Sequence, residues 1–167
     1  FEYIDGELFI HHSKEYKVAT NSPAYDQQLS INSYWESVGG EAMLPGTHRS
    51  ADRFARASFY TNSTNVRTFD TEIMVVSTAV GIIRDSSVPL SISADVASTI
   101  WRTIADQKAL KYYFDSAISP SIFWIDMDKL DLNEGAHVKT LNLHEYPVYA
   151  GEVSDKFKES QPFEWLH

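Results

Sequence analysis

None of the 167 residues is cysteine, which removes disulfides, thiolate metal sites and any cysteine nucleophile supplied by these residues. Long apolar runs are also missing. None approaches the roughly 18 residues a helix needs to cross a bilayer, so no membrane partner is expected. Cations are scarce and scattered: 14 Lys and Arg stand against 23 Asp and Glu, a formal charge of −9. Phosphate backbones are held by clustered Lys and Arg, so no nucleic-acid partner is expected. No phosphate-binding loop, dinucleotide fingerprint or Gly-x-Ser-x-Gly elbow occurs. Repeats, low-complexity tracts and Gly/Ser linkers are absent too.

What is present fits one domain, or part of one, with 43% hydrophobic and 13% aromatic residues. Phe1 to Ile10 predicts two short strands around Asp5-Gly6, a dipeptide suited to the two positive φ angles of a type I′ hairpin. A third strand is expected over Tyr16 to Thr20, ended by Pro23. Apolar residues Tyr25, Leu29, Ile31, Tyr34, Trp35 and Val38 then recur at helical spacing until Gly39-Gly40. A second helix is expected from Ser50, as N-cap, to about Tyr60. A third is expected from Asp70 to Arg84, with a stripe of Ile73, Met74, Val76, Val80 and Ile83.

Beyond Pro89 the pattern turns strand-like at Ser98 to Asp106, Ala109 to Ser116, Ser121 to Asp126 and His137 to Leu143. Residues 144–167 read as a tail broken by Pro147, Gly151 and Pro162, with a short helix near Ser154 to Ser160. Strands, then helices, then strands is the order of an α+β arrangement, antiparallel sheet packed against helices, rather than of alternating βαβ units.

Two segments carry candidate chemistry. Asn21, in Thr20-Asn21-Ser22-Pro23, sits just past a predicted strand. A carboxamide held there can donate to an oxygen that becomes negative during attack on a carbonyl, or can close an Asx-turn on its own backbone. Arg53, in Ser50-Ala51-Asp52-Arg53-Phe54, is a permanent cation on a predicted helix. It can bias a nearby thiol toward thiolate, or pair with Asp52 at the surface. Arg56 reads as a structural or surface pairing residue. Other clusters are weaker. Adjacent His11 and His12 on a strand would face opposite sides, the wrong geometry for one metal. His48 stands in a loop. Asp126, Asp128 and Asp131 lack the glycine and bidentate Glu of a calcium loop and read as a solvated turn. No metal or organic cofactor is expected.

The order T-N-S-P-x-Y-D, then Leu44-Pro45-Gly46, then S-x-x-R-F-x-R resembles the choloylglycine hydrolase family, the cysteine N-terminal-nucleophile (Ntn) amidases that include penicillin V acylases and bile salt hydrolases. The likeness extends with less specific motifs through Trp101 to Asp106, Leu110, Tyr112-Tyr113 and Trp124 to Met127. The resemblance implies that residues 1–167 are the C-terminal portion of a single Ntn-hydrolase domain, an αββα sandwich. The nucleophilic cysteine would then lie on an N-terminal part of the same enzyme. It further implies that Asn21 supplies an oxyanion-hole amide, that Arg53 lies beside the nucleophile, and that a small-molecule amide is the substrate.

The connection from Asn21 to Arg53 is shorter than in the bile salt hydrolases of gut Gram-positive bacteria and is similar to the Gram-negative branch. That branch includes N-acyl-homoserine-lactone acylases and carries the expectation of a bacterial periplasmic location. The shortening removes the excursion that contacts a neighbouring subunit, and a homo-oligomer stays open. Tyr25, Tyr34, Trp35, Phe59 and Tyr60 cluster around the two motifs as core residues or as borders of an acyl pocket. Without a cysteine, triad or metal cluster of its own, the chain also fits a binding or structural module that performs no chemistry.

Overall fold

The structure is a computed structural model that describes residues 1–92, 97–144 and 147–164. It divides into two compact units, Phe1–Ser98 and Thr99–His167. The described α-helices fall in the first and the larger sheet in the second, so the α+β class stands.

In the first unit, β1 (Glu2–Ile4) pairs antiparallel with β2 (Glu7–Phe9) in the register Glu2↔Phe9. Asp5 and Gly6 carry φ of 52° and 85°, the double positive that a tight hairpin needs and that an unbranched Asp-Gly tolerates. Tyr16 to Thr20 is not a strand. The backbone groups that would have entered a ladder are taken elsewhere: the Thr20 N–H donates to Gln28 Oε1 at 3.2 Å, and the Thr20 carbonyl accepts from Gln28 Nε2 at 3.0 Å. A side-chain amide thus stands where a neighbouring strand would have been.

Gln28 lies on α1 (Tyr25–Ser37), whose first backbone N–H, that of Tyr25, is accepted by the Glu2 carboxylate at 2.9 and 3.1 Å. This acid serves the orphan donors of the helix start from 23 residues away. That backbone bond, helped by a 2.8 Å contact to His11, holds the Glu2 carboxyl below its usual range. His11 lies beyond the end of β2 and packs against Tyr25, with ring centroids 4.9 Å apart.

α2 (Ser50–Ser63) packs against α1 and against α3 (Glu72–Asp85). Its Phe54, Ala55, Ala57 and Ser58 are buried, and Phe54 meets Tyr25 edge to face at 6.0 Å. A fully buried Phe or Val contributes about 1.5–3 kcal/mol, so this three-helix contact is the main store of stability in the unit. Two details differ from expectation. Arg49, whose carbonyl accepts from the Arg53 N–H at 3.0 Å, is the N-cap of α2, and Ser50 is its first helical residue. The α3 stripe is narrower than its periodicity suggests: Val76 and Val80 are buried while Ile73 and Met74 stay exposed. Tyr34 on α1 is likewise exposed, at 57%.

The second unit holds β3 (Trp101–Asp106), β4 (Lys111–Ser116) and β5 (Ile122–Asp126), paired antiparallel in that order. Of the expected His137 to Leu143 strand only β6 (Lys139–Thr140) forms. The 144–167 segment is more than a tail. Within it, β7 (Gly151–Glu152) joins β5 in parallel, making the sheet mixed, and β8 (Lys158–Glu159) pairs with β6. Val153, just after β7, is completely buried. The short helix expected near Ser154 to Ser160 is a single 3-10 turn at Ser154–Lys156. Residues 145–146 and 165–167 of the segment lie outside the described residues.

Cross-strand partners stack across the sheet: Phe114 on Phe123 at 5.1 Å and Tyr113 against Trp124 at 5.7 Å. Arg102 and Asp115, directly opposite in register, form a largely buried ion pair at 2.9 Å. Asp126 and Asp131 accept from backbone N–H groups two residues on, as Asx-turns do.

Candidate functional site

Asn21 and Arg53 are brought to one place by the Thr20–Gln28 clamp on one side and by the start of α2 on the other. Arg53 Nη2 donates to Asn21 Oδ1 at 2.6 Å and to Ser50 Oγ at 2.8 Å, and Ser50 Oγ donates to Asn21 Oδ1 at 2.6 Å. The Arg53 Nε donates to the His48 carbonyl at 3.0 Å, fixing the plane of the fork. Neither side chain adopts the plain alternative open to it. Asn21 makes no Asx-turn. Asp52, the nearest acid in sequence to Arg53, accepts instead from the Thr47 hydroxyl.

The identity of the Asn21 atom facing Arg53 follows from chemistry. A guanidinium can only donate, so the carboxamide turns its oxygen toward it. Two donors occupy that oxygen, and the Asn21 NH2 group has no partner among the described residues. Asn21, Ser50 and Arg53 line one open cavity of about 580 Å³ together with His48, Arg49 and Val88. No carboxylate is among its described lining residues. Burial, reinforced by the Arg56 cation, draws Arg53 below the ordinary guanidinium range. A guanidinium nonetheless stays protonated at neutral pH. Arg56 itself is structural: it donates to the carbonyls of Pro45 and Thr47 and pairs with Asp85 at 3.1 Å, tying the Leu44-Pro45-Gly46 loop to the end of α3.

Two residues of this cluster escaped the sequence reading. Ser50 was expected only to cap a helix. Gln28 is a polar residue at a buried, inward position between Tyr25 and Leu29, and that break in an apolar stripe was the available signal. Trp35 and Phe59 border a separate small cavity of about 200 Å³ between α1 and α2. A second apolar cavity of about 350 Å³ lies on the sheet of the other unit, walled by Trp101, Phe114, Phe123 and Tyr149. It gathers none of the motif residues. Among the described residues no group of three or more His, Asp or Glu could hold a metal, and no helix is long and apolar enough to cross a membrane.

A family profile described as linear amide C–N hydrolases, choloylglycine hydrolase family, matches residues 1–146. The chain belongs to this family. It is 45% identical over 181 aligned positions to a penicillin V acylase of Pectobacterium atrosepticum, covering 98% of this chain and 48% of that protein. It also superposes on the solved structure of penicillin V acylase from Agrobacterium tumefaciens with a TM-score of 0.91 and 43% identity, covering 99% of this chain and 54% of the other. The fold is therefore that of an Ntn-hydrolase portion, and the chain spans about half the length of the relatives it matches.

Proposed function

We propose that this chain is the part of a penicillin V acylase-like amidase that stabilises the oxyanion and sets the electrostatics of its site. The nucleophile is an N-terminal cysteine on the remainder of the enzyme. Its sulfur adds to the amide carbonyl carbon while the thiol proton passes to the α-amino group of the same cysteine. The carbonyl oxygen, now negative, takes a hydrogen bond from the Asn21 NH2 group. The C–N bond then breaks as the leaving nitrogen receives that proton. Water cleaves the resulting thioester, releasing the acid and restoring the thiol. Arg53 is the cation beside the sulfur and favours its thiolate form.

The observation that carries this reading is the Asn21 carboxamide, whose oxygen is doubly occupied by Arg53 and Ser50 while its N–H group, at a cavity, has no partner among the described residues. The charge of the lining bears on substrate. Arg49, Arg53 and His48 border the cavity with no described carboxylate, in a chain of net charge −9. Such a wall favours an amide that carries an anionic group, as penicillin V and conjugated bile salts do, over an uncharged N-acyl homoserine lactone. The exposed apolar hairpin residues Phe1, Tyr3 and Ile10 offer a packing surface for the remainder of the enzyme.

The test is amine release by the complete enzyme from penicillin V, an N-acyl homoserine lactone and a glycine-conjugated bile salt, with and without prior thiol alkylation. Amine release that alkylation abolishes is expected, greatest with the anionic amides. No release from any of the three would overturn the reading in favour of a module without chemistry, and turnover untouched by alkylation would overturn the cysteine nucleophile.

A further inference from the structure

We propose that Ser50 is a positioning residue of the site, relaying the hold of Arg53 onto Asn21 so that the carboxamide faces the substrate with its N–H group rather than its oxygen. The inference rests on the reading of Asn21 as oxyanion donor and adds a residue to which neither motif nor comparison assigns a role.

The hydroxyl of serine has one proton and two lone pairs. Because Arg53 Nη2 at 2.8 Å can only donate, Ser50 Oγ accepts there, and its single proton goes to Asn21 Oδ1 at 2.6 Å. The direction of every bond in the three-membered cycle is thus fixed. A carboxamide flipped by 180° would set N–H donors against the guanidinium and would take the Asn21 oxygen away from both Arg53 and Ser50. Ser50 is itself held from its backbone side. Its carbonyl oxygen lies 2.9 Å from the Thr20 hydroxyl, adjacent in sequence to Asn21. One residue of α2 therefore touches the Asn21 segment twice, through its main chain and through its side chain. Ser50 contributes no helix cap that would otherwise explain it, since Arg49 occupies the N-cap and no side chain bonds there.

The energetic logic is that of preorganisation. A donor already aimed before the charge develops needs no reorientation at the transition state, whereas a rotatable amide with a half-vacant oxygen exchanges its two faces with water. Removing Ser50 Oγ should lower kcat and leave ground-state binding nearly unchanged.

The experiment is a comparison of Ser50→Thr with Ser50→Val in the complete enzyme, assayed with penicillin V. These two side chains share a shape and differ only in the hydroxyl, so a difference between them reads the hydrogen bonds rather than packing. S50T is expected to keep at least about half of kcat, and S50V to lose about tenfold or more with KM within about twofold. In an Asn21→Ala background the same Thr/Val pair should differ by less than about twofold, because there is no longer a carboxamide to orient. Equal activity of S50T and S50V in the wild-type background would overturn the proposal. So would a tenfold difference that persists without Asn21. If Asn21→Ala alone keeps full turnover, the assignment of Asn21 falls first and the role of Ser50 falls with it. If Asn21→Ala is inactive while S50V is fully active, only the role of Ser50 falls.

Discussion

Arg53 Nη2 lies 2.6 Å from Asn21 Oδ1 across 32 positions of sequence, so the cation of the second motif holds the amide of the first. The guanidinium does this with one edge while its Nε is spent on the His48 carbonyl. Arg53→Lys keeps the positive charge but has a single nitrogen and cannot hold His48, Ser50 and Asn21 in one plane. We expect Arg53→Lys to lose most of kcat, about tenfold or more, and to lie closer to Arg53→Ala than to wild type. Steady-state kinetics of the two variants check this. A lysine variant of near wild-type rate would mean that charge alone is what the site requires.

Gln28 is 1% exposed and replaces a β-strand partner for Thr20. Gln28→Leu fills similar space but removes the partner of the half-buried Thr20 N–H and carbonyl. Leaving such groups unsatisfied costs about 1–3 kcal/mol each at most. Denaturant unfolding should show a loss of that order, and kcat should fall with it as the Asn21 segment loosens. Gln28→Glu should be no milder, because its carboxylate would confront the carbonyls of Thr20 and Pro23.

In the sheet, Asp115 is 3% exposed and faces Arg102 across β3 and β4. Asp115→Ala removes the carboxylate that Arg102 holds across the strand pair, and breaking a buried ion pair costs about 3–5 kcal/mol. The paired replacement Arg102→Met with Asp115→Leu should recover most of that loss, since apolar pairs of similar volume often match buried ion pairs. Midpoints of chemical unfolding for the single and double variants measure both.

Glu152 accepts from Lys129 at 2.6 Å and from the Ser154 N–H at 2.7 Å, and these bonds, Lys129 foremost, bring its pKa down to about 2 from an ordinary 4.5. A carboxyl depressed in the folded state contributes stability that is complete above its unfolded pKa and disappears as the pH falls through the folded one. The β5 to β7 connection should therefore weaken between about pH 4.5 and about pH 2. Glu152→Gln should flatten that portion of the stability profile, as followed by thermal unfolding at stepped pH. An unchanged profile would show that the pair contributes nothing to the fold.

How much of this was legible in the sequence differs with the physics behind each part. The Asp5-Gly6 hairpin, the three helices and strands β3 to β5 follow local rules, namely turn chemistry and apolar period, and they appear where those rules put them. Tyr16 to Thr20 has a strand's composition but no strand, because its partner is the amide of Gln28, a tertiary contact that no local pattern encodes. The parallel β7 and the buried Val153 were hidden for a similar reason: two paired residues are too few to generate a period. At the site, Asn21 and Arg53 were visible through motif resemblance. That they touch, and that Ser50 closes the cycle between them, is information carried only by the way the Thr20 segment meets the first turn of α2.

The most direct test of the central claim is the turnover of Asn21→Ala in the complete enzyme, measured as amine release from penicillin V beside its thermal unfolding. Loss of a single oxyanion donor removes about 10²–10³ in kcat. We expect a fall in that range with the unfolding midpoint unchanged, because the Asn21 side chain is exposed and, among the described residues, bonds to Ser50 and Arg53 alone. A kcat within about twofold of wild type would contradict the account.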